Sequence, residues 1–260
     1  MKVRVLGSGT SSGVPVIGCN CPVCTSNNPK NKRSRASVLI EIDEKSILID
    51  TATEFRLQAI AAGIERIDAI LFTHAHADHV HGLDDLRPLS HHKAINMYAD
   101  AQSRTEIESR FSYIFAPPGQ GGGVPQVRMH TIGRGQVRVA GVTVQPVPVY
   151  HGSLPILGYR IGPFAYITDC SSIPEESYEI LKGLDVLIID ALRYRPHPTH
   201  FSIDEALTVI DRISPKQAYL THLCHNVEHE QLAGELPEGV GPAYDGLEIR
   251  LDCSRKNFYT

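Results

Sequence analysis

The stretch Phe72-Thr73-His74-Ala75-His76-Ala77-Asp78-His79-Val80 places four metal-ligand side chains within six residues. An apolar run at 69–72 comes directly before the imidazoles and predicts a short buried strand. His74 and His76 lie two residues apart, so in an extended loop their side chains point to the same side. Asp78 and His79 fall where a helix is expected to begin and point back to the same place. The pattern therefore predicts a metal cradle at the end of a strand.

The composition limits the number of domains and the classes of partner expected for a chain that contains this metal-binding stretch. The 260 residues, 42% of them hydrophobic, predict one domain spanning residues 1–260 with a real core. A formal net charge of -4 argues against long nucleic acid as a partner and leaves a small anionic substrate open. No run approaches the roughly 20 apolar residues of a membrane-spanning helix. The chain starts in a predicted strand rather than a signal peptide, so we expect a cytoplasmic protein without membrane contact.

A second cluster of ligands lies near the start of the chain, in Cys19-Asn20-Cys21-Pro22-Val23-Cys24. Three thiols within six residues favour a metal over disulfides in a reducing compartment. Structural zinc takes four tetrahedral ligands from Cys and His, so one ligand is missing here. Cys224 and His225 are the candidates for it.

Two further segments have a composition that points to a surface. Residues 28–35 are basic, and either a solvated turn or a rim that faces phosphate fits them. Residues 117–123, Pro-Pro-Gly-Gln-Gly-Gly-Gly, predict a flexible loop near the site.

Hydrophobic periodicity predicts a chain in which strands and helices are mixed in both halves. Helices are expected at 55–62, 83–89, 101–115 and 203–213. Strands are expected at 2–6, 37–42, 45–50, 69–72, 95–98, 137–139, 142–149, 158–161, 165–168, 186–189 and 218–220.

The pattern His-x-His-x-Asp-His resembles the signature of the metallo-β-lactamase superfamily. This resemblance implies an α/β fold, an αββα sandwich of two mixed β-sheets flanked by helices. It also asks for three more ligands at strand ends, and His151, Asp169 and His222 each follow a predicted strand in the right order.

The resemblance implies a dinuclear metal site. One divalent ion would be held by His74, His76, His151 and Asp169, and the second by Asp78, His79, Asp169 and His222, with Asp169 as the bridge. Two such ions share a hydroxide and clamp a phosphoryl centre. The donors suit Zn, Mn or Fe. Redox di-iron relatives usually have Glu where this chain has His76, which favours hydrolysis over oxygen chemistry.

Four motifs resemble one branch, the carbon–phosphorus lyase accessory phosphodiesterases, which open cyclic ribose phosphates. They are the cysteine cluster, His222-Leu223-Cys224-His225, Tyr244-Asp245-Gly246 and the run from Arg193 to His200. This likeness covers nearly the whole chain and implies a small phosphodiester substrate, with a structural zinc on Cys19, Cys21, Cys24 and His225.

The same likeness assigns roles around the reaction. It makes His200 the general acid that protonates the leaving alkoxide, and it places Asp78 in the catalytic set as well as among the ligands. Arg193 and Arg195 are expected to clamp the phosphate, because a guanidinium binds it in a bidentate manner. A homodimer is also compatible with the resemblance, since family members are often dimers.

Three other functions remain open at this level. A tRNA 3′-end processing nuclease of the same superfamily would need a basic arm for tRNA, and no Gly/Pro- and Lys-rich insertion of that kind is found. The metal ligands do not exclude a thioester or lactone hydrolase. A non-enzymatic member of the cofactor-biosynthesis relatives is disfavoured, because every catalytic ligand is intact.

Overall fold

The computed structural model describes residues 1–116 and 123–252. The predicted loop at 117–123 therefore lies outside the described residues, apart from Gly123. The strands within the described ranges are β1 (Lys2–Gly7), β2 (Ser37–Ile42), β3 (Lys45–Ile49), β4 (Ala69–Leu71), β5 (Ile95–Ala99), β6 (Val127–Thr131), β7 (Val137–Val139), β8 (Val142–His151), β9 (Leu154–Ile161), β10 (Phe164–Ile167), β11 (Val186–Asp190), β12 (Gln217–Thr221), β13 (Val240–Pro242) and β14 (Glu248–Arg250). The helices are α1 (Phe55–Ala62), α2 (Ala77–Val80), α3 (Ala101–Arg110), α4 (Ser112–Phe115), α5 (Glu175–Ile180), α6 (Ile203–Ile213) and α7 (His229–Glu235), with 3-10 turns at Pro29–Asn31, His81–Leu86 and Pro88–Ser90.

The described strands form two mixed sheets of seven strands each. The first has the order β14-β1-β2-β3-β4-β5-β6 and the second the order β13-β12-β11-β10-β9-β8-β7. Strands β3 to β6 run parallel, whereas β1, β2 and β3 pair antiparallel. Strands β10 to β13 are likewise parallel, and β7 to β10 form an antiparallel meander.

Alternating side chains divide the core into three layers, because successive residues of a strand face opposite sides of a sheet. In β2, Val38 and Ile40 pack between the two sheets, while Leu39 packs on the outer face of the first sheet with Phe55 of α1. In β11, Ile188 faces the other sheet. The outer face of the second sheet packs against α6 and α7. This arrangement confirms the predicted αββα sandwich.

Several predicted elements need correction. The helix expected at 83–89 is replaced by two 3-10 turns, the second of which begins at Pro88. The helix expected at 101–115 breaks at Phe111 into α3 and α4. The basic segment is not simply a surface turn, because Arg33 is buried. None of the helices in the described part of the chain is long and apolar enough to cross a membrane.

Candidate metal centre

The predicted ligands lie at the carboxyl ends of strands. His74 and His76 follow β4, His151 ends β8, Asp169 follows β10 and His222 follows β12. Strands β8, β10 and β12 run in the same direction, so their carboxyl ends meet at one edge of the second sheet. Asp78 and His79 belong to the short helix α2 that opens after the His74 loop.

The structure brings these side chains together in two groups whose ligand atoms lie within 4.8 Å of one another. One group comprises His74, His76 and His151, and the other comprises Asp78, His79, Asp169 and His222. The Asp169 carboxylate also lies within that distance of His151 and His200. It therefore lies where the two groups meet, as a bridging ligand would.

The atoms available as metal ligands face one another but do not form hydrogen bonds with each other. The Nε2 atoms of His74, His79 and His222 are buried and have no hydrogen-bond partner. His79 Nε2 nevertheless lies 3.0 Å from an Asp169 oxygen, and His222 Nε2 lies 3.3 Å from the other. Buried polar atoms are normally hydrogen-bonded. Orphaned nitrogens that converge on carboxylates are instead typical of a cation site, so these residues fit divalent metal ions.

Electrostatics support the same interpretation. Burial lowers the pKa of His74 well below its usual value, which leaves the ring neutral and able to act as a ligand. Burial would also lower the pKa of His79, but the nearby carboxylates, Asp169 first, raise it well above its usual value. The pKa of Asp169 is lowered in spite of its burial, mainly by His222 and His79. Nearby positive charge thus stabilises the buried carboxylates, and protonated imidazoles or metal ions can supply that charge.

A buried carboxylate that we did not predict, Asp50, orients the ligand loop. It follows β3 in the left-handed conformation, with φ 62°. Its two oxygens accept hydrogen bonds from the Thr73 backbone N–H and hydroxyl, both at 2.8 Å. Its Oδ2 lies 2.7 Å from His79 Nδ1. Carboxylates that bind the second nitrogen of a ligand histidine fix its tautomer and orientation.

Asp190, also missed, has the corresponding position in the second sheet. It ends β11 and is fully buried. One of its oxygens accepts a hydrogen bond from the Asp169 backbone N–H and lies 3.2 Å from His200 Nδ1. The other accepts from the Phe201 N–H. Asp169 was predicted from the family resemblance together with its place directly after a strand. Asp190 follows the predicted strand at 186–189 and shares only the second of these signals.

His200 lies beside the predicted metal ligands. Its ring stacks on His222 with a centroid distance of 4.7 Å and packs edge-on against His151 at the same distance. With Nδ1 directed to Asp190, its Nε2 is the nitrogen left for a substrate. The carbonyl of the preceding residue, Thr199, accepts a hydrogen bond from His151 Nδ1 at 2.8 Å, so one loop positions both rings.

The two predicted phosphate-binding arginines occupy different environments. Arg193 donates through Nε to the Arg195 carbonyl and through Nη2 to the Pro196 carbonyl. It therefore stabilises the loop that leads to His200. Arg195 is exposed on the same loop.

The cysteine segment forms a separate cluster with His225. The Nδ1 atom of His225 lies 3.2 Å from Cys19 Sγ, 3.7 Å from Cys21 Sγ and 3.6 Å from Cys24 Sγ. Cys224 Sγ instead contacts the Asn226 side chain at 3.5 Å. A hydrogen bond from the Cys24 backbone N–H lowers the pKa of Cys21 to about 6, which favours the thiolate. These four residues fit a closed tetrahedral zinc site.

Comparison with known proteins identifies the family. Residues 45–223 match the family model described as the β-lactamase superfamily domain. This chain belongs to the metallo-β-lactamase superfamily. Its members are generally hydrolases with His/Asp metal sites.

Three proteins that are similar to this chain are named as three different enzymes. A crystal structure described as a new diphosphatase from the PhnP family is 44% identical with a TM-score of 0.90, covering 96% of this chain and 98% of that one. An octanoyltransferase from Porphyromonas gingivalis is 42% identical over 97% of this chain, which spans only 52% of that protein's length. A ribonuclease Z from Clostridium acetobutylicum is 43% identical over 24% of this chain and 21% of its own.

Proposed function

We propose that the protein is a metal-dependent phosphodiesterase that hydrolyses a small or cyclic phosphodiester. The observation that carries this proposal is the position of His200 against the two ligand groups. An imidazole held by Asp190 beside a metal centre can donate a proton to a departing alkoxide, which is a poor leaving group unless protonated. The solved relative described as a diphosphatase supports chemistry at phosphorus.

The proposed cofactors are two divalent ions, Mn or Zn or Fe, and one structural zinc. His74, His76, His151 and Asp169 would hold one active-site ion, and Asp78, His79, Asp169 and His222 the other. Such ions lower the pKa of bound water and neutralise charge that develops at phosphorus. The protein itself supplies the orientation of the ligands through Asp50 and Asp190, and a proton through His200. Thiolates at the Cys19 cluster need a reducing environment, so we place the enzyme in the cytoplasm.

A substrate panel tests the reaction class. Metal-loaded protein would be assayed with bis(p-nitrophenyl) phosphate, a cyclic nucleotide, a dinucleoside diphosphate, an acyl thioester and a lactone. We expect turnover of phosphodiesters, and turnover of the diphosphate would extend the proposal to the bond type named for the solved relative. Turnover of the thioester or lactone alone would contradict the proposal.

Acyl hydrolysis is the second candidate, because one relative is named an octanoyltransferase. The ligand groups do not discriminate against it, since an acyl carbonyl is polarised by metal ions as a phosphoryl group is. Turnover of an octanoyl thioester, used as the acyl thioester of the panel, would support this candidate. The tRNA nuclease has weaker support, because the ribonuclease Z likeness covers a quarter of this chain.

We also propose a homodimer that packs through α1. Leu57 and Ile60 on this helix are 61% and 65% exposed, so the helix presents apolar side chains to solvent as well as to the core. Light scattering should show a dimer that Leu57→Glu converts to a monomer. Ile17→Glu, at a residue 99% exposed elsewhere, should leave it intact, and a monomeric native protein would contradict the proposal.

A further inference from the structure

Arg33 is a buried arginine that joins distant parts of the chain. Its side chain is only 1% exposed. Its Nη1 donates to the carbonyls of Cys224 and Val227 at 3.1 and 2.9 Å, and its Nη2 donates to the Asn31 side-chain oxygen at 3.2 Å. Burial of a guanidinium is costly unless the charge is well hydrogen-bonded. These contacts therefore hold the 224–227 segment in one place.

Asn31 extends the same network. Its Oδ1, which accepts from Arg33, also accepts from the His229 backbone N–H at 2.9 Å. Its Nδ2 donates to the Glu228 carboxylate, and the residue is fully buried. Arg33 and Asn31 together fix the backbone from 224 to 229.

The segment that Arg33 holds begins two residues after His222. This histidine has φ 62°, a left-handed conformation that is unusual for a residue other than glycine. Such a conformation persists only when the surroundings enforce it. Leu223 pairs with the loop after β1, since its N–H donates to the Ser8 carbonyl at 3.0 Å and its carbonyl accepts from the Thr10 N–H.

The loop after β1 is in turn packed against Arg33. A Cβ placed on Gly9 would lie 2.7 Å from the Arg33 carbonyl, so only glycine allows this approach. Arg33 also exchanges two backbone hydrogen bonds with Val14, both at 2.8 Å, at the entrance to the cysteine segment. Arg33 therefore contacts both segments that pair at Leu223. Its backbone packs against the loop after β1, and its side chain binds the segment 224–227.

We propose that Arg33 is a positioning residue for the metal ligand His222. By fixing the carbonyls of Cys224 and Val227, it holds the backbone that forces His222 into its left-handed conformation and directs the ring toward Asp169. The inference rests on the proposed metal site. Loss of the Arg33 contacts should weaken metal binding at that site, in addition to lowering stability.

Arg160 provides a matched control. It is a partly buried arginine that also donates to three backbone carbonyls, those of Gly162, Ile180 and Lys182, at a site that contains none of the proposed ligands. Arg160→Met should lower the unfolding temperature without changing metal affinity. Arg33→Met removes the same number of donors, while Arg33→Lys keeps the charge as a milder change if the Met variant does not fold.

The experiment measures Mn²⁺ binding directly, without an activity assay. Protein stripped by mild chelation is titrated with Mn²⁺, and the free ion is followed by its EPR signal. We expect the Arg33 variants to raise the dissociation constant of at least one Mn²⁺ site by about 10-fold, within the range for residues that orient ligands. Wild-type affinity in both Arg33 variants would overturn the inference, as would an equal loss in Arg160→Met. Native protein that binds no Mn²⁺ or Zn²⁺ would overturn the proposed function and this inference together.

Discussion

His200 lies on the loop after β11 and contacts the predicted metal ligands. Its Nδ1 lies against Asp190, and its ring stacks on His222. This geometry leaves one nitrogen for proton transfer, so its contribution should depend on how much the leaving group needs a proton.

The His200→Ala variant separates an acid from a structural residue. With a poor alkoxide leaving group, we expect the rate to fall by about 10²–10⁴-fold. With bis(p-nitrophenyl) phosphate the loss should be much smaller, because p-nitrophenolate leaves without protonation. Comparing kcat for the two substrates is the measurement, and equal losses would point to binding or structure instead.

At the level of single residues, the sequence predicted which side chains would lie together and missed the carboxylates that support them. His74 and its neighbours were found because their spacing is dense and follows an apolar run. Asp50 was missed because a single carboxylate after a strand also fits a turn. The burial of Arg33 could not be predicted from its basic segment, because it is a core residue only through tertiary contacts with carbonyls 191 and 194 residues away.

Among the elements, those with their own local signals were predicted with accurate bounds. Helix α6 begins at a capping box of Ser202 and Glu205, and α1 ends at Gly63 with φ 61°. The edge strands β6, β13 and β14 were missed, although the edge strand β7, which is as short as β13 and β14, was predicted. Strand β13 contains Gly and Pro, and β14 has a single apolar residue between two charged ones, so neither shows strand periodicity. Strand β14 exists through its pairing with β1, with Lys2 opposite Arg250.

The segment at 19–24 has almost no apolar core to hold it. Within the described residues its buried hydrophobic cluster consists of Val14, Val23 and Cys24, with a few partly buried neighbours. A metal held by the thiolates and His225 would link this segment to the second sheet. The free energy of metal binding at such a closed site stabilises the folded state.

Replacing one thiolate tests this structural role. Cys21→Ala should remove the zinc and lower the unfolding midpoint, by roughly 2–4 °C for each kcal/mol of stability lost. Cys224→Ala is the matched control, because Cys224 Sγ contacts Asn226 rather than the cluster. Metal analysis and thermal unfolding are the readouts. Unchanged zinc content and stability in Cys21→Ala would show that the cluster is not a structural zinc site.

At the scale of the whole molecule, periodicity suggested mixed strands and helices but not their arrangement. The αββα sandwich came from the resemblance carried by residues 74–79, and the sheet orders confirm it. Pairings between distant strands, such as β14 with β1, cannot be read from local patterns. The architecture places the carboxyl ends of β4, β8, β10 and β12 around one centre, which is why the predicted ligands meet although they are spread along the sequence from His74 to His222.

The central claim is that this centre holds two metal ions that the hydrolysis requires. The direct measurement is metal content together with turnover of bis(p-nitrophenyl) phosphate, before and after mild chelation and after adding Mn²⁺ or Zn²⁺. We predict that the chelated protein keeps about one zinc per chain, loses turnover, and regains it as about two further ions bind. Asp169→Ala should not regain it. Undiminished turnover in the metal-stripped protein, or two bound ions and normal turnover in Asp169→Ala, would contradict the account.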